Sequence, residues 1–252
     1  MASNMPPRQR RIRGTRDADA ARAAILAAGV REFTDHGLSG ARMEAVAQRA
    51  EVAKGLIFHH FGSKEGLWIA ALEHVYGLLR AGQDAAGLAA LGPVEGMRRL
   101  AQDSFRLFRA HPEIVALMNE ENLHRARHLR AAKDIPRLYN PLFDAIEGLL
   151  REGRAQNLFR GDVDVTALYV ALSGLGYFYC ANRWTLSAAF AGDLFTAQRL
   201  ATYETMLGDM VVAYLLRPLD CRGVLAVPSG AHSEGIPRHG EIRDEKHQKF
   251  NG

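Results

Sequence analysis

The chain has 252 residues, of which 48% are hydrophobic, so it can bury a sizeable core in one large or two small domains. Its two cysteines, Cys180 and Cys221, exclude a framework of several disulfides and favour a reducing compartment. The sequence has neither the apolar segment of a signal peptide nor an uncharged apolar run of the ~20 residues that span a bilayer. We therefore expect a cytoplasmic protein without a membrane partner.

The net charge of +4 is unevenly distributed. Residues 1–16 contain five arginines and no acid, so this segment alone carries +5 and the rest of the chain −1. The segment is expected to be a flexible basic arm, which suits a polyanion such as DNA. A solubilising tail would have the same composition, and the arm alone does not decide between the two.

The hydrophobic pattern is helical almost throughout and shows no sustained period-2 alternation, which predicts an all-α fold. Capping residues, prolines and glycines indicate where the helices start and stop. The expected helices are residues 17–36, 43–50, 54–61, 64–79, 93–110, 113–132, 140–151, 162–181 and 193–216. Residues 87–92 read as a break between two of them, and residues 217–252, rich in Gly, Pro, His and charge, as a mobile tail.

Two short helices joined by three or four residues are typical of a helix-turn-helix, whose second helix enters the DNA major groove. Helices of about eight residues are unstable in isolation, so the first helix must supply an apolar floor. The residues expected to form this floor and pack on it are Ile25, Phe33, Val46, Ala47, Val52 and Phe61.

The second short helix, residues 54–61, also carries groups that can read DNA. Lysine and histidine can donate to phosphates or base acceptors, glycine allows close approach of the backbone, and an aliphatic side chain can touch a thymine methyl. A lysine at the start of the next helix can hold a phosphate together with the helix N-terminus. The candidates are Lys54, Gly55, Ile57, Phe58, His59, His60 and Lys64, although a small structural subdomain could use the same residues.

Residues 15–75 resemble the TetR family of bacterial transcriptional repressors. The matching positions are Ala27-Ala28, Phe33, Gly37, Val46-Ala47, Ala50-Glu51-Val52, Phe58-His59-His60-Phe61, Lys64 and Leu67. The resemblance implies an all-α homodimer with an N-terminal three-helix DNA-binding domain and a larger C-terminal domain that binds a small molecule and dimerises. It also implies a double-stranded operator, released when the effector binds.

Three positions depart from the family pattern. Arg42 stands where a Thr or Ser usually contacts phosphate, so it is expected to make that contact in their place. Phe58 replaces a Tyr whose hydroxyl commonly reaches the DNA backbone. Glu51 replaces the glycine of the turn, which predicts a changed backbone angle or strain there.

The expected organisation is an arm (1–16), a DNA-binding domain (17–63), a ligand-binding and dimerisation domain (64–216) and the tail (217–252). The helix over 162–181 is apolar nearly all round, so both of its faces should be buried, either in a homodimer or in a monomer core. An apolar or aromatic effector is expected among aromatics and a few polar groups, although aromatics at helical spacing are often plain core. The candidates are Phe105, Phe108, Met118, Asn119, Tyr139, Phe143, Tyr177 and Trp184.

Glu120, His124 and His128 are spaced to share one helix face, where a histidine pair can ligate a metal. A solvated face beside arginines is the preferred interpretation, so we expect no metal and no cofactor. The sequence contains no GxSxG, GxxxxGK[ST], CxxC or HExxH motif, and an enzyme is not expected. The alternatives to a ligand-responsive repressor are a metal-sensing regulator of the same fold and a helical protein-protein adaptor.

Overall fold

The computed structural model describes residues 7–81, 85–132 and 135–216, with side-chain surroundings for residues 17–79, 86–132 and 142–216. Over these ranges the protein is built from helices, and a single isolated bridge pairs Phe159 with Leu216. The all-α fold class is therefore confirmed. The helices are α1 (Pro7–Gly40), α2 (Met43–Arg49), α3 (Lys54–Phe61), α4 (Lys64–Ala81), α5 (Ala85–Ala90), α6 (Pro93–Ala110), α7 (Pro112–Leu123), α8 (Ile135–Ala155), α9 (Val165–Ala181), α10 (Arg183–Ala189) and α11 (Ala197–Leu215).

Helix α1 starts at Pro7 rather than near Asp17, so the backbone of residues 7–16 is helical where a flexible arm was predicted. Proline is well suited to the first helical position, and the arginines that follow are good helix formers. Gly37, with φ of 65°, interrupts α1 at the predicted stop. The tail over 217–252 lies outside the described residues.

Two helix starts in the C-terminal part differ from the prediction. Asp164, not Asp162, caps α9, where its carboxylate accepts a hydrogen bond from the Ala167 N–H at 2.6 Å. Asp162 instead receives a hydrogen bond from Arg160, which lowers the pKa of this carboxyl to about 2. Helix α11 is capped by Thr196 rather than opened by Asp193.

Other differences concern helix length. Helix α5 was not predicted and overlaps the expected break over 87–92, α10 was not predicted either, and α8 begins at Ile135 rather than at residue 140. Helix α7 ends at Leu123 instead of continuing to residue 132. The chain there turns through Arg125 and Ala126, both with positive φ, a conformation that cannot continue a right-handed helix.

The buried apolar side chains form two clusters. The first contains residues of α1, α2, α3, α4 and α7. It therefore crosses the predicted domain boundary at residue 63. The second lies among α5, α6, α8, α9 and α11. Because α7 packs with the N-terminal helices, this part of the C-terminal half is in direct contact with the helix-turn-helix unit.

Candidate nucleic-acid interface and effector cavity

Helices α2 and α3 are joined by a tight turn. The Ala50 N–H donates to the Val46 carbonyl at 2.9 Å and the Val52 N–H to the Ala47 carbonyl at 3.0 Å. Glu51 has φ of 55°, a left-handed conformation that favours glycine. The predicted strain at Glu51 is therefore confirmed, and the turn keeps its geometry without the glycine.

The inner face of α3 includes Ile57, which is 0% exposed and belongs to the first cluster together with Val46. The prediction that Ile57 could touch a thymine methyl is wrong. Phe61 lies one turn further along the same side and is half-buried, so the apolar stripe of α3 passes through Ile57. The sequence-based assignment placed Phe61 on the inner face correctly but put Ile57 on the outer face.

The outer face of α3 is formed by Lys54, Gly55, Phe58 and His59, all exposed as predicted. The Phe58 ring is 40% exposed. His60 is half-buried, and its ring centroid lies 5.3 Å from that of His59. This face therefore offers the cation of Lys54, the imidazole of His59 and the ring of Phe58. At Gly55 no side chain covers the backbone.

Lys54 has a partner within the helix-turn-helix unit. Its Nζ lies 2.5 Å from the Oε1 of Glu44, an exposed residue in the first turn of α2. The hydrogen bond from Lys54 lowers the pKa of Glu44, so this carboxyl is ionised. A phosphate that binds Lys54 has to compete with Glu44.

Arg42 lies immediately before α2, with its side chain exposed and its backbone N–H donating to Glu32 Oε1 at 3.1 Å. Glu32 is buried on α1 and also lies 3.9 Å from Arg49. Sequence reasoning missed Glu32, although an acid one turn after Ala28 on the apolar stripe of the first helix was a signal. Glu32 fixes the start of α2 and thereby the position of Arg42.

Lys64 is half-buried, and its Nζ donates to the carbonyl of Ser39 at 3.2 Å. It ties the start of α4 to the end of α1, which is a structural contact that the sequence did not indicate. Ser63, immediately before α4, accepts a hydrogen bond from the Gly66 N–H at 3.0 Å and so caps this helix. A phosphate contact by Lys64 stays a prediction.

Helix α7 contacts the N-terminal helices through two adjacent carboxylates. Glu120 accepts a hydrogen bond from the Leu38 N–H at 3.0 Å, at the end of α1. Glu121 is 1% exposed and accepts from Trp68 Nε1 on α4 at 3.1 Å. It also accepts from the backbone N–H groups of His128 and Leu129 at 2.8 and 3.0 Å.

His128 completes this buried network. Its Nδ1 lies 2.7 Å from Glu121, and its Nε2 accepts from Arg127 at 3.1 Å, so the ring proton is on Nδ1. Glu120 and His124 do lie together, with His124 Nε2 3.4 Å from Glu120 Oε1, but α7 ends at Leu123, so the predicted helix face does not extend to His128. The rings of His124 and His128 are 5.5 Å apart and His128 is buried, so the solvated face preferred from the sequence is wrong. Among the described residues no group of three or more such side chains is placed to hold a metal ion.

A cavity of about 380 Å³ lies between α1, α6, α7, α9 and α10. Three of the eight predicted ligand residues line it: Phe108, Asn119 and Trp184. Cys180 also lines it, and burial raises the pKa of this thiol to about 11, so it is protonated. The full lining is Thr34, Phe108, Arg109, Pro112, Val115, Ala116, Asn119, Cys180, Ala181, Arg183, Trp184 and Phe195.

The other predicted ligand residues lie elsewhere. The hydroxyl of Tyr177 donates a hydrogen bond to Asn119, but Tyr177 itself does not line the cavity. Met118 packs on the first cluster. Phe105 is fully buried against the rings of tyrosines in the second cluster, and Phe143 packs on the ring of Tyr169. The side chain of residue 139 lies outside the described residues.

Comparison with known proteins agrees with this geometry. A family model for bacterial regulatory proteins of the tetR family matches residues 25–71, and one for the tetracyclin repressor-like C-terminal domain matches residues 93–211. The HTH-type transcriptional repressor NicS of Pseudomonas putida is 33% identical over 200 residues, which are 79% of this chain and 94% of NicS. The chain belongs to the TetR family of bacterial transcriptional regulators. In this TetR-family chain the N-terminal match contains the whole of α2 and α3.

Other TetR-family relatives match over shorter stretches or in fold alone. The HTH-type transcriptional regulator BetI of Rhizobium meliloti is 39% identical over 95 residues, 38% of this chain and 47% of BetI. The structure of the TetR family regulator PfmR from Thermus thermophilus aligns with a TM-score of 0.57 at 23% identity, covering 77% of this chain and 99% of PfmR. The structure of FadR from Bacillus subtilis in complex with stearoyl-CoA aligns with a TM-score of 0.56 at 16% identity, covering 76% of this chain and 98% of FadR. None of the helices that the structure describes combines the length and apolar character needed to cross a bilayer.

Proposed function

We propose that this TetR-family regulator is a ligand-responsive repressor that binds a palindromic operator as a homodimer and releases it when a small molecule binds. The exposed outer face of α3 carries the proposal: Lys54, Gly55, Phe58 and His59 project from a helix anchored by Ile57. Such a face fits the major groove, with Arg42 at the start of α2 positioned for a flanking phosphate. The similarity to a named repressor, NicS, favours repression over activation.

Exposed apolar side chains on α9 and α11 support the homodimer. Val170 and Phe178 on α9 are 61% and 58% exposed, and Met206, Met210 and Tyr214 are exposed along α11. An apolar face of this extent on two neighbouring helices is typical of a protein interface. A symmetric pair would bury it and present two copies of α3, which suits two half-sites of a palindrome.

The position of the cavity supports effector control. Its wall includes Thr34 of α1 together with Val115 and Asn119 of α7, so a ligand there touches both the DNA-binding unit and the helix that braces it. A ligand changes operator affinity only if it binds two arrangements of these helices with different affinity. A ligand in this cavity contacts helices of both parts, so its affinity depends on how they are arranged.

Selection of bound sequences from a random duplex pool tests the proposed function. We expect an enriched palindrome whose half-sites lie about one helical turn apart or a multiple of it, protected by a dimer in a footprinting assay. Affinity should fall steeply with salt because phosphate contacts release counterions. A salt-independent interaction with a protein partner and no enriched sequence would favour the adaptor alternative instead.

Two opposed variants test the DNA-binding face. Lys54→Ala should weaken binding to the selected operator at least about tenfold, because each protomer loses a charged phosphate or base contact. Glu44→Gln should strengthen binding, because it frees Lys54 and removes a negative charge beside the DNA. His59→Ala should weaken binding, whereas His74→Ala, an exposed histidine on α4, serves as the matched control.

Fluorescence polarisation with the labelled operator measures all four variants at one salt concentration. Equal affinity of Lys54→Ala, His59→Ala and the wild type would remove this face of α3 from the interface.

A further inference from the structure

The cavity wall contains an arginine whose guanidinium contacts two aromatic rings. The Arg183 guanidinium carbon lies 4.3 Å from the ring centroid of Phe195 and 4.6 Å from that of Trp184. Contact with two aromatic rings restricts the position of the guanidinium and leaves its N–H groups as hydrogen-bond donors. Arg183 is therefore a donor of restricted position in the wall of the cavity.

Arg183 has no acidic partner among the residues that the structure describes. The ion pairs found over 17–79, 86–132 and 142–216 do not include Arg183, and its Nε is buried without a hydrogen-bond acceptor. The second cation of the wall, Arg109, is different, because it lies 3.7 Å from Glu204. A buried, unpaired N–H of a charged group is costly unless an acceptor reaches it.

The rest of the wall is largely apolar. Phe108 and Trp184 supply ring surfaces, and Val115 and Ala116 supply aliphatic surface. A volume of about 380 Å³ is at the small end of the usual range for ligand pockets, which accommodates one or two rings. Among the described residues, no carboxylate lines the cavity, so an anion meets no repulsion from this part of the wall.

From these contacts we infer that the cavity binds a small aromatic carboxylate, with Arg183 as the partner of the carboxylate and the aromatic and aliphatic wall around the ring. Arginine presents a planar fork that matches a carboxylate in two parallel hydrogen bonds, which a lysine does not reproduce. The inference rests on the proposed effector role of the cavity and specifies its ligand class. A neutral amide of the same shape fills the same space but offers one acceptor oxygen and no charge, so it cannot form both charge-assisted bonds.

Benzoate and its neutral isostere benzamide are the probes that separate charge from shape. Ligand-observed NMR gives the dissociation constant of each with the wild-type protein, and we expect benzoate to bind roughly tenfold or more tightly than benzamide. Arg183→Gln should remove this preference, weakening benzoate roughly 10- to 100-fold and leaving benzamide within about twofold. Arg151→Gln, an exposed arginine on α8, should leave both values unchanged.

Arg183→Lys provides the check on geometry. It keeps the charge and most of the volume but not the fork, so benzoate should bind it more weakly than the wild type and more tightly than Arg183→Gln. Circular dichroism establishes that the variants fold. Equal affinity of the wild type for benzoate and benzamide, or an unchanged benzoate affinity in folded Arg183→Gln, would overturn the inference.

Operator binding, measured separately without ligand, distinguishes this failure from failure of the proposed function. Operator binding together with equal benzoate and benzamide affinities would leave the repressor standing and refute the ligand class. Selective benzoate binding without any operator binding would support the ligand class and refute the repressor.

Discussion

Replacing Glu121 by glutamine tests whether the buried network between α4 and α7 holds the two halves of the chain together. Oε1 of Glu121 accepts the backbone N–H groups of His128 and Leu129, and Oε2 accepts Trp68 Nε1 and His128 Nδ1. The two oxygens of the carboxylate thus serve four donors, which a glutamine with one oxygen cannot do.

The magnitude follows from the donors that lose their acceptor. If the amide nitrogen takes the Oε1 position, two backbone N–H groups face another donor. If it takes the Oε2 position, the N–H of fully buried Trp68 is left unpaired and the proton on His128 Nδ1 has no acceptor. A buried unsatisfied donor costs about 1–3 kcal/mol, and the bonds that survive lose their charged acceptor, so we expect a loss of about 2–4 kcal/mol.

Urea unfolding followed by circular dichroism and tryptophan fluorescence measures this loss at pH 7. Protein concentration must be the same for all variants, because the unfolding of a dimer depends on concentration. Glu147→Gln, an exposed acid on α8, is the control and should change the free energy of unfolding by less than about 0.5 kcal/mol. A Glu121→Gln variant as stable as this control would refute the network as a stabilising element.

The effect also has a pH signature. Burial raises the pKa of Glu121, but hydrogen bonds from Leu129, His128 and Trp68 outweigh it and lower the pKa below its ordinary value of 4.5. A carboxyl with a depressed folded-state pKa stabilises the fold above its unfolded pKa and loses this contribution as the pH falls through the folded pKa. The stability difference between wild type and Glu121→Gln should therefore be constant above about pH 5.5 and shrink as the pH falls below 4.5. A difference that grows towards acid pH would have the wrong sign.

Two further substitutions address α3. Ile57→Ala should cost about 2–5 kcal/mol of stability, whereas Ile57→Val should cost about 0.5–1.5 kcal/mol and leave the affinity of the folded protein for its operator unchanged. Burial of Ile57 argues against a contact with a thymine methyl. A lower operator affinity for Ile57→Val at an unchanged unfolding midpoint would contradict this and support the thymine contact. Phe58→Tyr should strengthen operator binding by about 0.5–1.5 kcal/mol, because its exposed ring edge gains a hydroxyl for the DNA backbone, and weaker or equal binding in a polarisation assay would contradict this.

Local signals in the sequence predicted the helix-turn-helix correctly. The bounds Lys54–Phe61 follow from the glycine after Phe61, and Ser63 caps α4 through its own side chain. The strain at Glu51 was predictable because a tight turn needs a left-handed residue whatever side chain occupies it. Features of this kind depend on residues within one or two turns of each other, so a sequence reports them directly.

Features that depend on contacts between distant segments were not predictable. Because α7 ends early, the spacing of Glu120, His124 and His128 does not give one helix face: Glu120 contacts Leu38 and His124, whereas His128 bonds to Glu121 in the buried network. Phe105 and Phe108, one turn apart on α6, differ in the same way, because the second lines the cavity and the first packs in the second cluster. Helical spacing shows that two side chains share a side of a helix but not which neighbour covers them.

Helix α7 connects the cavity to the DNA-binding unit with contacts of a suitable strength. Val115 and Asn119 form part of the cavity wall, and the next two residues, Glu120 and Glu121, bind α1 and α4. A 100-fold loss of operator affinity requires a difference of about 2.7 kcal/mol between ligand-bound and free states. Hydrogen bonds to a charged acceptor contribute about 1.5–3 kcal/mol each, so loss of the bond from Leu38 to Glu120 together with one bond to Glu121 reaches this value. Under the proposed function, a ligand that displaces α7 by the length of a hydrogen bond is therefore sufficient to change operator affinity without unfolding any helix.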